Sequence, residues 1–325
     1  MAPVVSKFGK SIGSDFKFVT LPDNWLTFLA GLEQGTSYTL NNTLTLTGKA
    51  TATNHGRNPR KLIPVNPLVA KAPYLLVGNN YSIPDLVMTK SHCTGYSFFN
   101  RPAPNVKIFR EACLRGTHQG DSGLVADLYP PKLVAKAIHL IRNPLDNVLS
   151  RMHHALKNGM VPEDQAMAMD NSPAGLHAWC DYVDAQFRPF IPKWVSNRKD
   201  VIRILTVPCH SDIIRYIVWH NSANQMLQKM DLPVYKLYYE NYTTNFDETV
   251  QEVLAFVNQT QAREARSFVT GKTYTWMFDS AHFHEILYLI KSFATNETWA
   301  MLQHYFDTPP SDPTFNTTLD SIVER

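Results

Sequence analysis

From Tyr74 onward, short continuous apolar runs alternate with longer stretches in which apolar residues recur every three or four positions. The runs Leu86–Met88, Ala137–Ile141, Val201–Leu205 and Val234–Tyr238 have strand length and are rich in β-branched or aromatic residues. The spacing of Leu145, Val148, Leu149, Met152 and Leu156 predicts a helix, as does that of Leu176, Trp179, Val183 and Phe187, and that of Val250, Val253, Leu254 and Val257. Continuous apolar strands between helices imply an α/β fold with a parallel sheet covered on both faces. Before Tyr74 the chain is rich in Asn, Thr, Gly and Pro, with a Thr/Leu alternation over Leu40–Thr47 that reads as a hairpin arm or stem. The expected organisation is therefore an N-terminal extension over 1–73, one domain over 74–305, and a tail over 306–325 that begins near the Pro-rich Thr308–Pro313.

Composition narrows the class. With 44% hydrophobic and 18% charged residues, the 325-residue chain is of ordinary globular type. A net charge of +3 without a basic run argues against nucleic acid as a partner and suits an anionic ligand if the cations converge. The longest N-terminal apolar run, Trp25–Leu32, is far too short to span a bilayer, and no other run reaches that length. Cys93, Cys113, Cys180 and Cys209 have the spacing of neither a metal site nor a dense disulfide scaffold. Glycosylation triplets at Asn41, Asn80, Asn241, Asn258, Asn296 and Asn316 lean towards the Golgi lumen, with the anchor outside this chain; the cytoplasm is the alternative.

Two segments carry the chemistry. In the first, the apolar run from Leu86 enters the polar turn Thr89-Lys90-Ser91-His92-Cys93-Thr94, which can aim amides, hydroxyls and an ammonium at an anion. It is not a nucleotide-kinase loop, and the one Gly-Lys-Thr, at Gly271–Thr273, fails as well because Arg266 stands where that motif needs Gly. In the second, a strand ends at Arg142, Asn143 is suited to cap a helix, Pro144 fits its first position, and Ser150 follows two turns later. Arg142 then sits at the carboxyl end of a parallel strand, where open α/β sheets bind ligands. A guanidinium fork with a nearby hydroxyl suits a phosphate monoester.

On these residues the chain resembles the sulfotransferases that use 3′-phosphoadenosine 5′-phosphosulfate (PAPS). Thr89–Thr94 is similar to their first motif, Pro-Lys-Ser-Gly-Thr-Thr, and Arg142, Asn143, Pro144, Asp146 and Ser150 meet the second in full. The Thr-Lys-Ser-His-Cys form of the loop resembles relatives of Golgi enzymes that carry WSC domains. The resemblance implies a P-loop-like fold, donor contacts from Lys90, Ser91, His92, Cys93, Thr94, Arg142 and Ser150, and a place for Tyr239 near the adenine. Lys272 loosely echoes a C-terminal clamp on the 3′-phosphate. His92 and Gly95 depart from the family's pattern, standing where a Gly and, in many members, an adenine-stacking Trp are usual. The product is 3′-phosphoadenosine 5′-phosphate (PAP), the partner a hydroxyl-bearing acceptor, and no metal is implied. His118, in Arg115–Gln119 between the two motifs, resembles the family's Thr-His turn and is the expected base, with His92 as the alternative and Lys90 neutralising the departing phosphate. His139, within a core strand, reads as a satisfied buried side chain. An inactive nucleotide-binding relative and a kinase on the same fold are the competing readings.

Overall fold

The computed structural model describes residues 16–20, 26–30, 46, 51–53, 64–65, 74–78, 86–95, 105–120, 123–128, 131–195, 197–265, 268 and 273–307. Its strands, in chain order, are β1 (Phe16–Thr20), β2 (Leu26–Ala30), β3 (Thr51–Thr53), β4 (Pro64–Val65), β5 (Tyr74–Gly78), β6 (Leu86–Ser91), β7 (Arg115–Gly120), β8 (Gly123–Leu128), β9 (Val134–Ile141) and β10 (Val234–Tyr238). The longer helices are α1 (Val106–Cys113), α2 (Pro144–Lys157), α3 (Pro173–Phe187), α4 (Arg198–Thr206), α5 (His210–Lys229), α6 (Phe246–Phe256), α7 (Ser280–Phe293) and α8 (Asn296–Leu302). Among the described residues, no helix is long and apolar enough to cross a membrane.

The chain divides into two compact units: one of residues 1–95, 104–141 and 225–270, the other of 96–103, 142–224 and 271–325. The first holds a five-stranded, wholly parallel sheet in the order β10-β9-β2-β6-β3. β6 and β3 lie on one side of β2, β9 and β10 on the other, so the winding reverses at β2 and opens a crevice beyond the strands' carboxyl ends. The sheet draws β2 and β3 from the segment read as an N-terminal extension. β9 is buried from Ala137 through Ile141, which is why its sequence is a continuous apolar run rather than an alternation. At the sheet edge, β10 buries only Leu237 and leaves Val234 exposed. Val250, Val253 and Leu254 of α6 pack with Ile138, Leu140 and Leu237. Each such side chain removed from water stabilises the fold by roughly 1.5–3 kcal/mol. β1, β5 and β4 form a separate antiparallel sheet, and β7 with β8 a two-stranded ribbon.

The second unit is helical. Val201–Leu205, expected to be a strand, lies inside α4. The Asn197 side chain accepts the Lys199 amide and Asp200 occupies the first turn, both features of a helix start. Ile204 is buried while Ile202 is exposed, as helical spacing requires and a doubly covered strand does not. Gly175, in the first turn of α3, lies so close to the Asp170 carbonyl that a Cβ there would clash with it. Arg151 and the Trp179 indole N–H both donate to Asp212, at 3.1 and 3.2 Å, joining α2, α3 and α5. All four cysteines are paired: Cys93 with Cys113 in the first unit and Cys180 with Cys209 in the second.

Asp184 of α3 accepts the Ser211 amide at 2.8 Å, and its other oxygen lies 3.2 Å from Nδ1 of buried His210. Burial pushes the Asp184 carboxyl from 3.8 up to about 8, against the pull of the Ser211, Cys209 and His210 amides. A raised folded-state pKa means that the folded chain holds this proton more tightly, so stability falls as pH rises through the interval from 3.8 to about 8. Burial holds His210 down from 6.5 to about 4, and its contribution is lost as pH falls through that interval. The two opposing trends offset each other below 6.5 and leave the Asp184 trend uncovered above it. Thermal unfolding should accordingly show a midpoint that drops between pH 6.5 and about 8, and Asp184→Asn, which resembles the protonated acid, should flatten that drop. An undiminished drop in the variant would rule this group out as its source.

Candidate active site

Within the first unit, β6 and β9 flank β2: Ser91 pairs with Ala30, and Ala30 in turn with His139. Neighbouring strands lie about 4.8 Å apart, so the ends of β6 and β9 are on the order of 10 Å apart across the crevice. Tyr239 follows β10 and donates its amide to the Ile141 carbonyl at 2.8 Å, which sets it beside the end of β9. The chain leaves β9 directly into Arg142.

The turn after β6 is held tightly. The Ser91 hydroxyl accepts the Cys93 amide at 2.9 Å, and the Gly95 amide donates to the His92 carbonyl at 2.7 Å. Cys93 has φ 53° and Gly95 φ 55°. Glycine adopts the left-handed region freely, whereas Cys93 is fixed there with its sulfur bonded to Cys113 at the end of α1. Cys93 was read as a donor contact; its thiol is consumed by the disulfide, and its amide is taken by Ser91. His92 is half-buried, and the Thr94 hydroxyl oxygen is buried without a hydrogen-bond partner among the described residues. A buried hydroxyl of this kind costs about 1–3 kcal/mol unless something occupies it, which fits a turn built to receive an oxyanion. Lys90 lies on β6, paired with Leu29. His118 lies on β7 opposite Val125, in the ribbon and outside the parallel sheet. His139 is fully buried in β9, where burial lowers its pKa to about 3 and keeps the ring neutral, in keeping with its reading as a core residue.

Within the second unit, the expected strand-to-helix start is present at α2. The Asn143 side chain accepts the Leu145 and Asp146 amides at 2.9 and 3.4 Å, and Pro144 opens the helix. Arg142 and Ser150 are 7% and 3% exposed, a guanidinium and a hydroxyl both drawn into the fold. The Tyr216 hydroxyl donates to the Arg142 carbonyl at 2.5 Å, so the backbone is held independently of the guanidinium. Lys272 lies outside the described residues. Among the described residues, no group of three or more His, Cys, Asp and Glu side chains is arranged to hold a metal ion.

A profile of the sulfotransferase domain matches residues 113–274, a stretch that includes the start of α2 and the end of β10. Residues 113–274 are a sulfotransferase domain. Among solved structures, a sulfotransferase from Alicyclobacillus acidocaldarius is similar over 88% of this chain and 96% of its own, at 10% identity and a TM-score of 0.44. No curated protein matches. The α/β architecture with its parallel sheet is the P-loop-like sulfotransferase fold.

The sequence holds one further signal. The central strand, β2, is followed by Gly31-Leu32-Glu33-Gln34-Gly35-Thr36-Ser37, a run of glycines and hydroxyls of the kind that cradles phosphates with its amides. Its place after the strand at which the winding reverses makes it a second candidate for the donor. Leu26–Ala30 could have been read as a strand from its apolar, part-aromatic composition alone.

Proposed function

We propose that this sulfotransferase takes its sulfuryl group from PAPS and passes it to an acceptor hydroxyl, with a histidine as the base. The observation that carries the reading is the match to the sulfotransferase domain across a segment in which Arg142 and Ser150 are both buried at the start of α2. The guanidinium fork and the Ser150 hydroxyl supply the donors that a 3′-phosphate needs. PAPS, when bound, supplies the activated sulfuryl group. Lys90 brings a positive charge to the carboxyl end of β6, where it offsets charge building on the leaving phosphate oxygen. The Thr94 hydroxyl is available to donate to an anionic oxygen. The base takes the acceptor's proton as the acceptor oxygen bonds to sulfur and the bond from sulfur to the phosphate oxygen breaks. Position favours His92 over His118 for that role. His92 directly follows β6, at the edge where open α/β sheets bind ligands, whereas His118 sits in the ribbon. Tyr239, beside the end of β9, is proposed to lie near the adenine, and Lys272 near the 3′-phosphate. The direct test is transfer of label from PAPS to a panel of hydroxyl acceptors. Binding of PAP without transfer to any acceptor would favour the inactive nucleotide-binding reading, and preference for ATP would favour the kinase.

The reading extends to a secretory lumen such as the Golgi, with the cytoplasm as the alternative. It is supported by two disulfides, which persist in oxidising compartments, and by the glycosylation triplet at Asn258, an exposed residue just beyond α6. Expression in a eukaryotic cell should give a protein whose gel mobility shifts on glycosidase treatment. No shift together with cytosolic fractionation would overturn this placement.

A further inference from the structure

One face of α3 borders a cavity built wholly within the helical unit. His177, Asp181, Asp184 and Arg188 follow one another at spacings of four, three and four, so they form a single polar stripe down the helix. A separate stripe, Leu176, Trp179, Val183 and Phe187, is buried in the core. A polar stripe beside a core face ordinarily meets open water. Here it meets a cavity of about 560 Å³ whose far wall is the end of α4 and the turn into α5, with His282 of α7 alongside. That volume lies in the range of about 300–1,000 Å³ in which proteins hold small ligands. The two walls differ in chemistry. Leu205, Val207 and Pro208 make the far wall apolar, while the α3 stripe offers donors and acceptors together. His177, Asp181 and Arg188 are exposed at the mouth, and Asp184 and His210 are buried at the floor. The Val207 carbonyl can only accept, so its 2.8 Å contact with His210 puts the imidazole proton on Nδ1 and leaves Nε2 as an acceptor. That Nε2 is buried without a hydrogen-bond partner among the described residues. Asp184, held protonated up to about pH 8 by burial, can donate as well as accept. Arg188 and Asp181 then supply one fixed charge of each sign, which gives no cationic surplus for a phosphate or sulfate. Cys180, one turn before Asp184, is bonded to Cys209, the residue before His210, so the two walls are joined covalently before any ligand arrives.

We propose that this cavity is a saccharide-binding site, taking a pyranose ring with its C–H face on Leu205, Val207 and Pro208 and its hydroxyl edge on the α3 stripe. A pyranose carries apolar C–H bonds on its faces and, around its rim, hydroxyls that each donate and accept. It therefore matches one apolar wall set against one mixed polar wall. A wholly apolar ligand would leave Asp184 and His210 without partners, and a nucleotide would need more cations than Arg188 alone supplies. A ring hydroxyl is the donor that the floor of the cavity lacks. The inference stands apart from the donor reading, because no residue of the cavity is among those proposed to hold PAPS.

The test uses the full chain with its disulfides intact, and saturation-transfer NMR with the methyl α- and β-pyranosides of glucose, galactose, mannose and N-acetylglucosamine. At least one of them should show transfer concentrated on the protons of a single ring face, with a Kd measurable by titration. Ala185→Trp, at an exposed position of the lining, fills the cavity and should abolish the signal. Arg188→Ala should raise the Kd about tenfold. Both variants should keep the wild-type PAP affinity. If Ala185→Trp does not fold, Arg188→Ala and Asp181→Asn carry the test, since both side chains are exposed. Absence of transfer from every pyranoside, or transfer that survives the variants unchanged, overturns the inference. So does tighter binding of inorganic sulfate than of any pyranoside, which would make the cavity an anion site. A chain that binds PAP but no pyranoside defeats this inference alone, whereas one that binds a pyranoside but not PAP leaves it standing and defeats the donor reading.

Discussion

His92→Ala is expected to lower turnover by about 10²–10⁴-fold while leaving PAP affinity near wild type, the effect of losing a positioned base. The residue leads out of β6 in a turn pinned by the Ser91 hydroxyl and the bond between Cys93 and Cys113, which fixes the backbone from which the imidazole projects. His118→Ala, on the ribbon, should leave turnover within about threefold in the same assay. Lys90→Ala should behave differently from both: it should lower turnover and also weaken donor binding, because an ammonium that met the phosphosulfate would act in the ground state as well. If His118→Ala abolishes transfer and His92→Ala does not, the base belongs to the ribbon and the assignment reverses.

Arg142→Ala should weaken PAP binding by roughly 30- to 150-fold, the equivalent of about 2–3 kcal/mol for a charge-assisted fork. The variant isolates the guanidinium, since the Tyr216 hydroxyl holds the Arg142 carbonyl and the Asn143 side chain caps α2 whatever stands at position 142. ATP, which lacks a 3′-phosphate, should bind wild type far more weakly than PAP and respond little to the substitution. Calorimetry returning equal affinities for the two nucleotides would remove the 3′-phosphate from the argument.

The elements that were legible in advance are those whose local pattern and tertiary surroundings agree. β9 is apolar throughout because both its faces are covered, and α2 has its cap, its N-terminal proline and its stripe in one stretch of sequence. β2 was not legible. Leu26–Ala30 lies in the run Trp25–Leu32, which stood out only as too short for a membrane, and nothing local reveals that a five-residue run pairs with strands 60 and more than 100 positions away. α4 departs from the strand its sequence predicts for a related reason. Val201–Leu205 satisfies a buried strand and a buried helical turn equally well, and only the Asn197 cap and Asp200 arbitrate. Of the candidate site, the placement of Arg142 and Ser150 was legible because capping chemistry fixes the strand end and the helix start within a few residues. The turn after β6 was legible in its residue types but not in its covalent form. That Cys93 meets Cys113, 20 positions away, follows from where β6 and α1 end in space.

Those two cross-links close segments of 20 and 29 residues, one in each unit. By loop-closure entropy each is worth about 3 kcal/mol, a large part of the margin by which an ordinary domain stays folded. A recombinant preparation from a reducing bacterial cytosol would lack both of them. Its apparent inertness would then report the thiol state of the sample rather than the chemistry of the enzyme, and periplasmic or eukaryotic secretory expression is the sound starting point for any assay of this chain.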